Sequence, residues 1–200
     1  MMKLKPQNTY RHLCNFAATD TSRPILQTIH FTPDGHIEAT NSHILLRLLN
    51  RLDSRIDPFP GLAIHPKELK EFEGSYPDTS RLFPSDFNVS WFVTPNAARD
   101  MGKFLKTFEK DSLIKLTLLE KQIKITDSVS SSRFDLPDFV TGDCTGIVMH
   151  FNCTYLQHIM AFIADCSPCP VEFSVQSVLR PMFFKVDGLF EGLIAPVRIS

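Results

Sequence analysis

The feature that most constrains the fold is an internal repeat. "GLAIHPKEL", residues 61–69, runs parallel to "GIVMHFNCTYL", residues 146–156. Each reads glycine, three apolar residues, histidine and then a helix-compatible stretch, and self-similarity of this kind marks a fold assembled from like units. The flanking patterns recur in the same order. A helix over 8–17 precedes alternating strands at 25–31, 36–41, 43–49 and 62–65, and a helix is predicted over 66–73, where Pro66 suits a first helical turn. "TPDG" (32–35), with proline second and glycine last, is a hairpin turn. The second half gives a strand at 87–93, a helix at 96–110, strands at 112–119, 121–127, 130–136 and 146–151, and a helix at 152–164. Three closing strands, 170–175, 180–186 and 190–199, leave the first unit shorter than the second by about two strands. The expectation is an α+β chain of antiparallel sheets with paired helices, in two units over 1–86 and 87–200.

Composition narrows the classes. At 43% hydrophobic and 22% charged the chain can bury an ordinary core. The formal charge of −1 excludes polyanion binding through bulk charge and leaves only a local basic face. No apolar run approaches the ~20 residues needed to cross a bilayer, and "MMKLKPQNTY" has no apolar stretch behind its lysines to make a signal peptide. A cytoplasmic protein is expected, its five cysteines reduced.

Chemistry-bearing motifs are sparse. Cys166-Ser-Pro-Cys169 lacks a second CxxC, and only His150, Cys153 and His158 lie near it in sequence, so no metal is expected and a tight loop between helix and strand suffices. Asn152-Cys-Thr and Ser112-Leu-Ile-Lys115 match acceptor and nucleophile spacings without the context those functions need. With no glycine-rich phosphate loop and no flanked carboxylate pair, neither an enzyme nor a cofactor is expected. The helix at 96–110 is more informative. Ala98, Met101, Leu105 and Phe108 share one face, and Arg99, Lys103, Lys106 and Lys110 line the other, which reads either as a solvated face or as a row of phosphate contacts. The apolar tail "LIAPVRIS" (193–200) reads as a strand that something must cover.

Four motifs occur in order: Thr40-Asn-Ser-His43, Tyr76-Pro-Asp78 followed by Arg81, Phe151-Asn-Cys-Thr-Tyr155, and Pro196-Val-Arg198. In that order and spacing the chain resembles the middle and last domains of the bacterial DNA polymerase III β sliding clamp family. The resemblance implies clamp units of two helices and two sheets, with helices lining a DNA channel and sheets facing outward. Arg99, Lys103, Lys106 and Lys110 would then face weakly and non-specifically bound double-stranded DNA.

The resemblance also implies a cleft for short clamp-binding peptides of polymerases and other replication or repair proteins. Carried over by motif, its residues are Ile25 and Leu26, Thr40, His43 and Leu45 of the hairpin, and Pro77, Arg81 and Leu82 of the connecting segment. Asn152 and Tyr155 at a helix start, with Leu193, Ala195, Pro196, Val197 and Arg198 of the tail, complete it. The implied function is a replication processivity and docking protein. Its alternative is a clamp mimic that serves as adaptor or decoy without encircling DNA. The resemblance takes in no counterpart of the family's first domain. Prolines, Arg81 and acids in "FEGSYPDTSRLFPSD" (72–86) blunt the edge of the short unit, so a monomer or weak dimer is expected over a ring of three copies.

Overall fold

The structure, a computed structural model, describes residues 6–49, 61–84, 86–119, 121–127, 129–135, 140–143 and 146–199. The first half contains helix α1 (Pro6–Phe16) and strands β1 (Ile29–Phe31), β2 (Ile37–Thr40), β3 (Ile44–Leu48) and β4 (Ala63–Ile64). The second opens with β5 (Val89–Val93) and α2 (Pro95–Leu105), followed by β6 (Leu113–Leu119), β7 (Gln122–Thr126), β8 (Ser131–Asp135), β9 (Val140–Thr141) and β10 (Val148–Asn152). It closes with α3 (Cys153–Cys166), β11 (Val171–Val175), β12 (Met182–Val186) and β13 (Phe190–Ile194).

The repeat read in the sequence reappears as topology. Strand order β4-β1-β2-β3 in the first half matches order β10-β6-β7-β8 in the second, with α1 and α2 preceding them. The second copy stands as its own four-stranded sheet. The first is fused, through β3 beside β13, to the sheet β13-β12-β11-β5-β9, which makes one antiparallel sheet of nine strands across residue 87.

Strand alternation then decides what lies on each face of that sheet. Ile29, Ile37, Ala39, Ile44, Leu46, Leu48, Trp91, Phe173, Phe184, Phe190 and Ile194 point inward. They share one apolar core with the helices and with Ile114, Leu116, Ile123, Ile125, Met149 and Phe151 of the smaller sheet.

Local signals explain most boundaries. Thr94 Oγ1 accepts from Ala97 N at 3.1 Å and Asn152 Oδ1 from Tyr155 N at 3.1 Å, so both long helices of the second half start on capping side chains. Gly35, at φ +87°, supplies the left-handed residue of the 32–35 turn, and its N–H donates to Thr32 O at 3.0 Å.

Four expectations are corrected. Residues 66–73 are not helical: Leu69 N donates to His65 O, Leu69 sits at φ +54°, and Phe72 N returns to Ala63 O, so the chain folds back as a hairpin. α2 stops at Leu105, where the Thr107 hydroxyl takes Phe104 O at 2.7 Å and the chain tightens into turns. The start of the 25–31 segment is a single 3-10 turn over Pro24–Gln27 instead of strand. The last strand ends at Ile194.

Candidate functional site

The tail beyond β13 is held by two backbone bonds to two different parts of the molecule. Ala195 N donates to His43 O at 2.8 Å and Val197 N to His150 O at 2.7 Å, while Pro196 between them has no N–H to give. The tail therefore bridges the β2–β3 turn and β10. At the same place the His43 ring stacks on Tyr155, with centroids 5.6 Å apart and planes 17° apart. Tyr155 is fixed by the Asn152 cap, whose Nδ2 also donates to Asp111 Oδ1 at 3.3 Å. Burial raises the Tyr155 hydroxyl's pKa, as does the Asp111 carboxylate, so it stays a neutral donor. Asn41 shapes the turn by accepting from His43 N and Ile44 N, each at 2.9 Å, with Ser42 at φ +76°. Thus His43, Asn152, Tyr155, Ala195, Pro196 and Val197 come together at one seam, with Val197 42% exposed and Arg198 exposed beside it.

A second group sits on the outer face of the nine-stranded sheet. Leu45 faces Leu193 across β3 and β13, Leu193 faces Phe183, and Phe83 and Phe87 pack on the three. Leu45 and Leu193 are buried under this cover, so they form the floor of the region and not its surface. Two residues along the chain separate Leu45 from His43 and Leu193 from Ala195, which puts floor and seam at the same ends of the same two strands. Leu26 is buried, and Thr40 Oγ1 donates to Ile44 O at 2.7 Å. Ile25 is half-buried and lies under Gly74, where an added Cβ would stand 3.5 Å from Ile25 Cδ1. Pro77, Arg81 and Leu82 lie exposed on the connecting segment, Leu82 at 47%, with Arg81 3.5 Å from Asp78.

A set of polar residues that the sequence reading missed lies one step further from the seam. Glu38 is almost wholly buried, yet its carboxylate meets His30 Nδ1 at 3.0 Å, Arg47 Nε at 3.0 Å and the Thr79 hydroxyl at 2.6 Å. Burial alone would push its pKa up. The hydrogen bonds from His30 and Thr79 and the Arg47 charge outweigh that and hold it below the usual range. Arg47 also reaches Glu191 at 2.9 Å and lies 4.9 Å from the centre of the Phe83 ring. The signal was in the pattern: in "IEAT" and "ILLRL" one charge interrupts each apolar strand, and the turn at 41–43 sets those two positions opposite each other.

The basic stripe is only partly helical. Arg99 donates to Asn96 Oδ1 at 2.8 Å and to Ala164 O of α3 at 3.1 Å, and Lys103 pairs with Asp100 at 3.0 Å. Lys106 closes the helix and Lys110 lies beyond it, both exposed. Beside them α3 presents Gln157, whose amide donates to Leu105 O at 2.7 Å, and His158, whose pKa burial lowers. Among the described residues no three His, Cys, Asp or Glu side chains converge to hold a metal, and no helix is long and apolar enough to cross a membrane.

This arrangement of sheets and helices has known counterparts. The solved DNA polymerase sliding clamp of Bacillus subtilis superposes with a TM-score of 0.76 at 18% identity, over 98% of this chain and 62% of that one. The DNA polymerase III β chain of Streptococcus pneumoniae gives 0.75 at 23% identity, over the whole chain and 66% of its counterpart. The fold is that of the bacterial sliding clamp. In sequence the chain resembles the β sliding clamp of Streptococcus pneumoniae, with 29% identity over 240 aligned residues that take in 92% of this chain. It spans 60% of the length of that clamp. No family model matches. Among the described residues, the first half of this chain supplies one α-helix and one set of sheet strands, and the second half two of each.

Proposed function

We propose that the chain is a clamp-like replication protein of two units, 1–86 and 87–200, that docks short clamp-binding peptides of polymerases and repair proteins where the tail crosses the junction. The observation that carries this reading is the tail itself. An apolar segment ending in a Pro-Val-Arg is held by only two backbone bonds, between the His43–Tyr155 stack and the apolar floor of Leu45 and Leu193, and it leaves Val197 and Leu82 open to a partner. A seam that offers the Asn152 amide and the Tyr155 hydroxyl beside the exposed Val197 suits a peptide carrying a polar amide and a bulky apolar end. No catalytic step belongs to this reading.

Titration with a fluorescent clamp-binding peptide tests it. The expected affinity is micromolar, about −8 kcal/mol, because a short peptide must be ordered on binding. Leu82→Asp and Tyr155→Ala should each weaken it at least tenfold in folded protein. No binding by the wild type would end the proposal.

DNA contact is the second part of the proposal. Exposed Lys106 and Lys110 beside Lys103 and Arg99 support weak, sequence-independent binding whose log affinity falls with log salt by about 0.9 per phosphate neutralised. Lys103→Glu with Lys106→Glu should abolish it. The shortness of the first unit favours an adaptor or decoy that does not encircle DNA. Light scattering decides, since a stable mass of three chains would favour a ring instead.

A further inference from the structure

The segment between β4 and β5 crosses the outer face of the nine-stranded sheet with almost no backbone support. Among the described residues from Gly74 to Phe87 the one regular element is the 3-10 turn Ser80–Leu82, closed by Leu82 N to Thr79 O at 3.1 Å, and Asn88 N to Val175 O at 3.0 Å marks where the segment rejoins the sheet. Side chains hold it instead. The Tyr76 ring stacks on His30 with centroids 4.3 Å apart, the Thr79 hydroxyl donates to Glu38 at 2.6 Å and accepts from Arg47, and Phe83 covers the Arg47 guanidinium.

These anchors are one row. His30 faces Glu38 across β1 and β2, Glu38 faces Arg47 across β2 and β3, and Arg47 faces Glu191 across β3 and β13. The row continues through Lys185 to Glu172, which pair at 3.5 Å. Charge therefore alternates in register across the junction between the two halves. Opposite charges on directly facing positions attract, and a slip of one residue would turn each of them into the apolar core.

The Lys185–Glu172 end of the row is partly exposed, but Glu38 and Arg47 are buried under the segment, beside a cleft of about 310 Å³ that Tyr76, Pro77, Asp78 and Thr79 line from above. A buried ion pair contributes little net stability over an apolar pair of similar size, yet it imposes geometry, because each donor must find its acceptor. Here the geometry imposed is that of the segment.

We infer that the His30–Glu38–Arg47 row is a latch that holds residues 76–83 on the sheet, and that Thr79 is the positioning residue through which it presents Pro77, Arg81 and Leu82 to the docked peptide. This rests on the docking reading above. The latch itself does not: it concerns how the segment is held whether or not a peptide binds.

Thr79→Val keeps the side-chain shape and removes both hydroxyl bonds, and Thr79→Ser keeps the hydroxyl. In the whole chain, hydrogen exchange of the amides at 79–83 and the rate of tryptic cleavage after Arg81 report the latch, and peptide titration reports its consequence. Thr79→Val should speed exchange and cleavage at least tenfold without changing exchange in β11–β13, and weaken the peptide at least threefold. Thr79→Ser should restore both. Should Thr79→Val destabilise the whole chain, Glu38→Leu with Arg47→Leu removes the acceptor and the donor from the other side, and the same local loosening is expected. Unchanged exchange in both variants overturns the latch. Faster exchange with unchanged peptide affinity overturns the positioning role. If the wild type binds no peptide while Thr79→Val still loosens the segment, the docking reading and the positioning role fall and the latch stands.

Discussion

The two faces of the nine-stranded sheet solve the same problem by different means. The inner face is continuous and apolar from β1 to β5, and three helices and a second sheet bury it. The outer face has only an irregular segment to cover it. There one apolar row, Leu45, Leu193 and Phe183, runs beside one charged row, His30 to Glu172. The difference teaches what a short segment can cover. Two aromatic rings, Phe83 and Phe87, close three apolar side chains. The neighbouring positions, without a helix above them, are filled by charges that satisfy one another.

That contrast can be broken by substitution. On the inner face Phe162 is fully buried and meets His12, Phe16 and Phe190 edge-on, with Phe190 4.8 Å away. Phe162→Ala should cost about 4 kcal/mol in urea unfolding, the size of a large core cavity. On the outer face Arg47→Leu alone should cost about 3 kcal/mol, because it leaves Glu38 charged and buried. Adding Glu38→Leu should return most of that loss, as measured by the same unfolding curve. A double variant as unstable as Arg47→Leu alone would mean that the charged row contributes net stability, and the contrast between the faces would fail.

A smaller effect is expected at Gly192, where the inner face permits no side chain. A Cβ there would meet Phe184 Cζ at 2.1 Å and Leu45 O at 2.6 Å. Gly192→Ala should therefore cost about 2 kcal/mol through displacement of β3 from β13, seen as a lower thermal midpoint.

Acid should separate the faces with the smallest change of all. His12, between α1 and α3, is held below its ordinary pKa of 6.5 by burial, which outweighs the hydrogen bond to Asp165, and His158 is lowered in the same way. The unfolded chain takes up those protons first, so stability should begin to fall as pH drops below about 6.5, and His12→Asn should flatten that slope. Glu38 acts in a lower window. Its carboxyl is held below 4.5, so the stability it contributes is present above that value and is lost as pH falls through the folded pKa. Unfolding curves at pH 7, 5.5 and 3.5 distinguish the two steps.

Much of the local structure was legible because its causes are local. Proline and glycine in "TPDG" and alternation in "VSWFV" and "QIKIT" act within a few residues and produced the turn and strands expected of them, and the side chains of Thr94 and Asn152 start the two helices just as locally. Of the residues proposed for docking, His43, Tyr155 and the tail meet at one seam, whereas Leu45 and Leu193 are the buried floor beneath them.

Where a segment depends on distant partners, the sequence pattern could not decide. "PKELKEF" has helical composition, but His65 and Ala63 offer backbone partners across a two-residue strand, and the chain turns back to take them. The tail reads as strand to its end, yet the ladder stops at Ile194, after which its amides go to His43 and His150 on separate elements. In the sequence Glu38 and Arg47 are single charges within apolar strands. Only the arrival of Thr79 and Phe83, 32 and 36 residues beyond Arg47, buries them, and burial turns a solvated pair into a constraint on where that segment lies. By itself the sequence determined the turns, the caps, the alternation and the repeated strand order, all set by short-range sterics and hydrogen bonding. The tertiary structure decided which strand β3 would adopt as its neighbour and what would cover the other face, because those choices depend on apolar area and charge brought together from opposite ends of the chain.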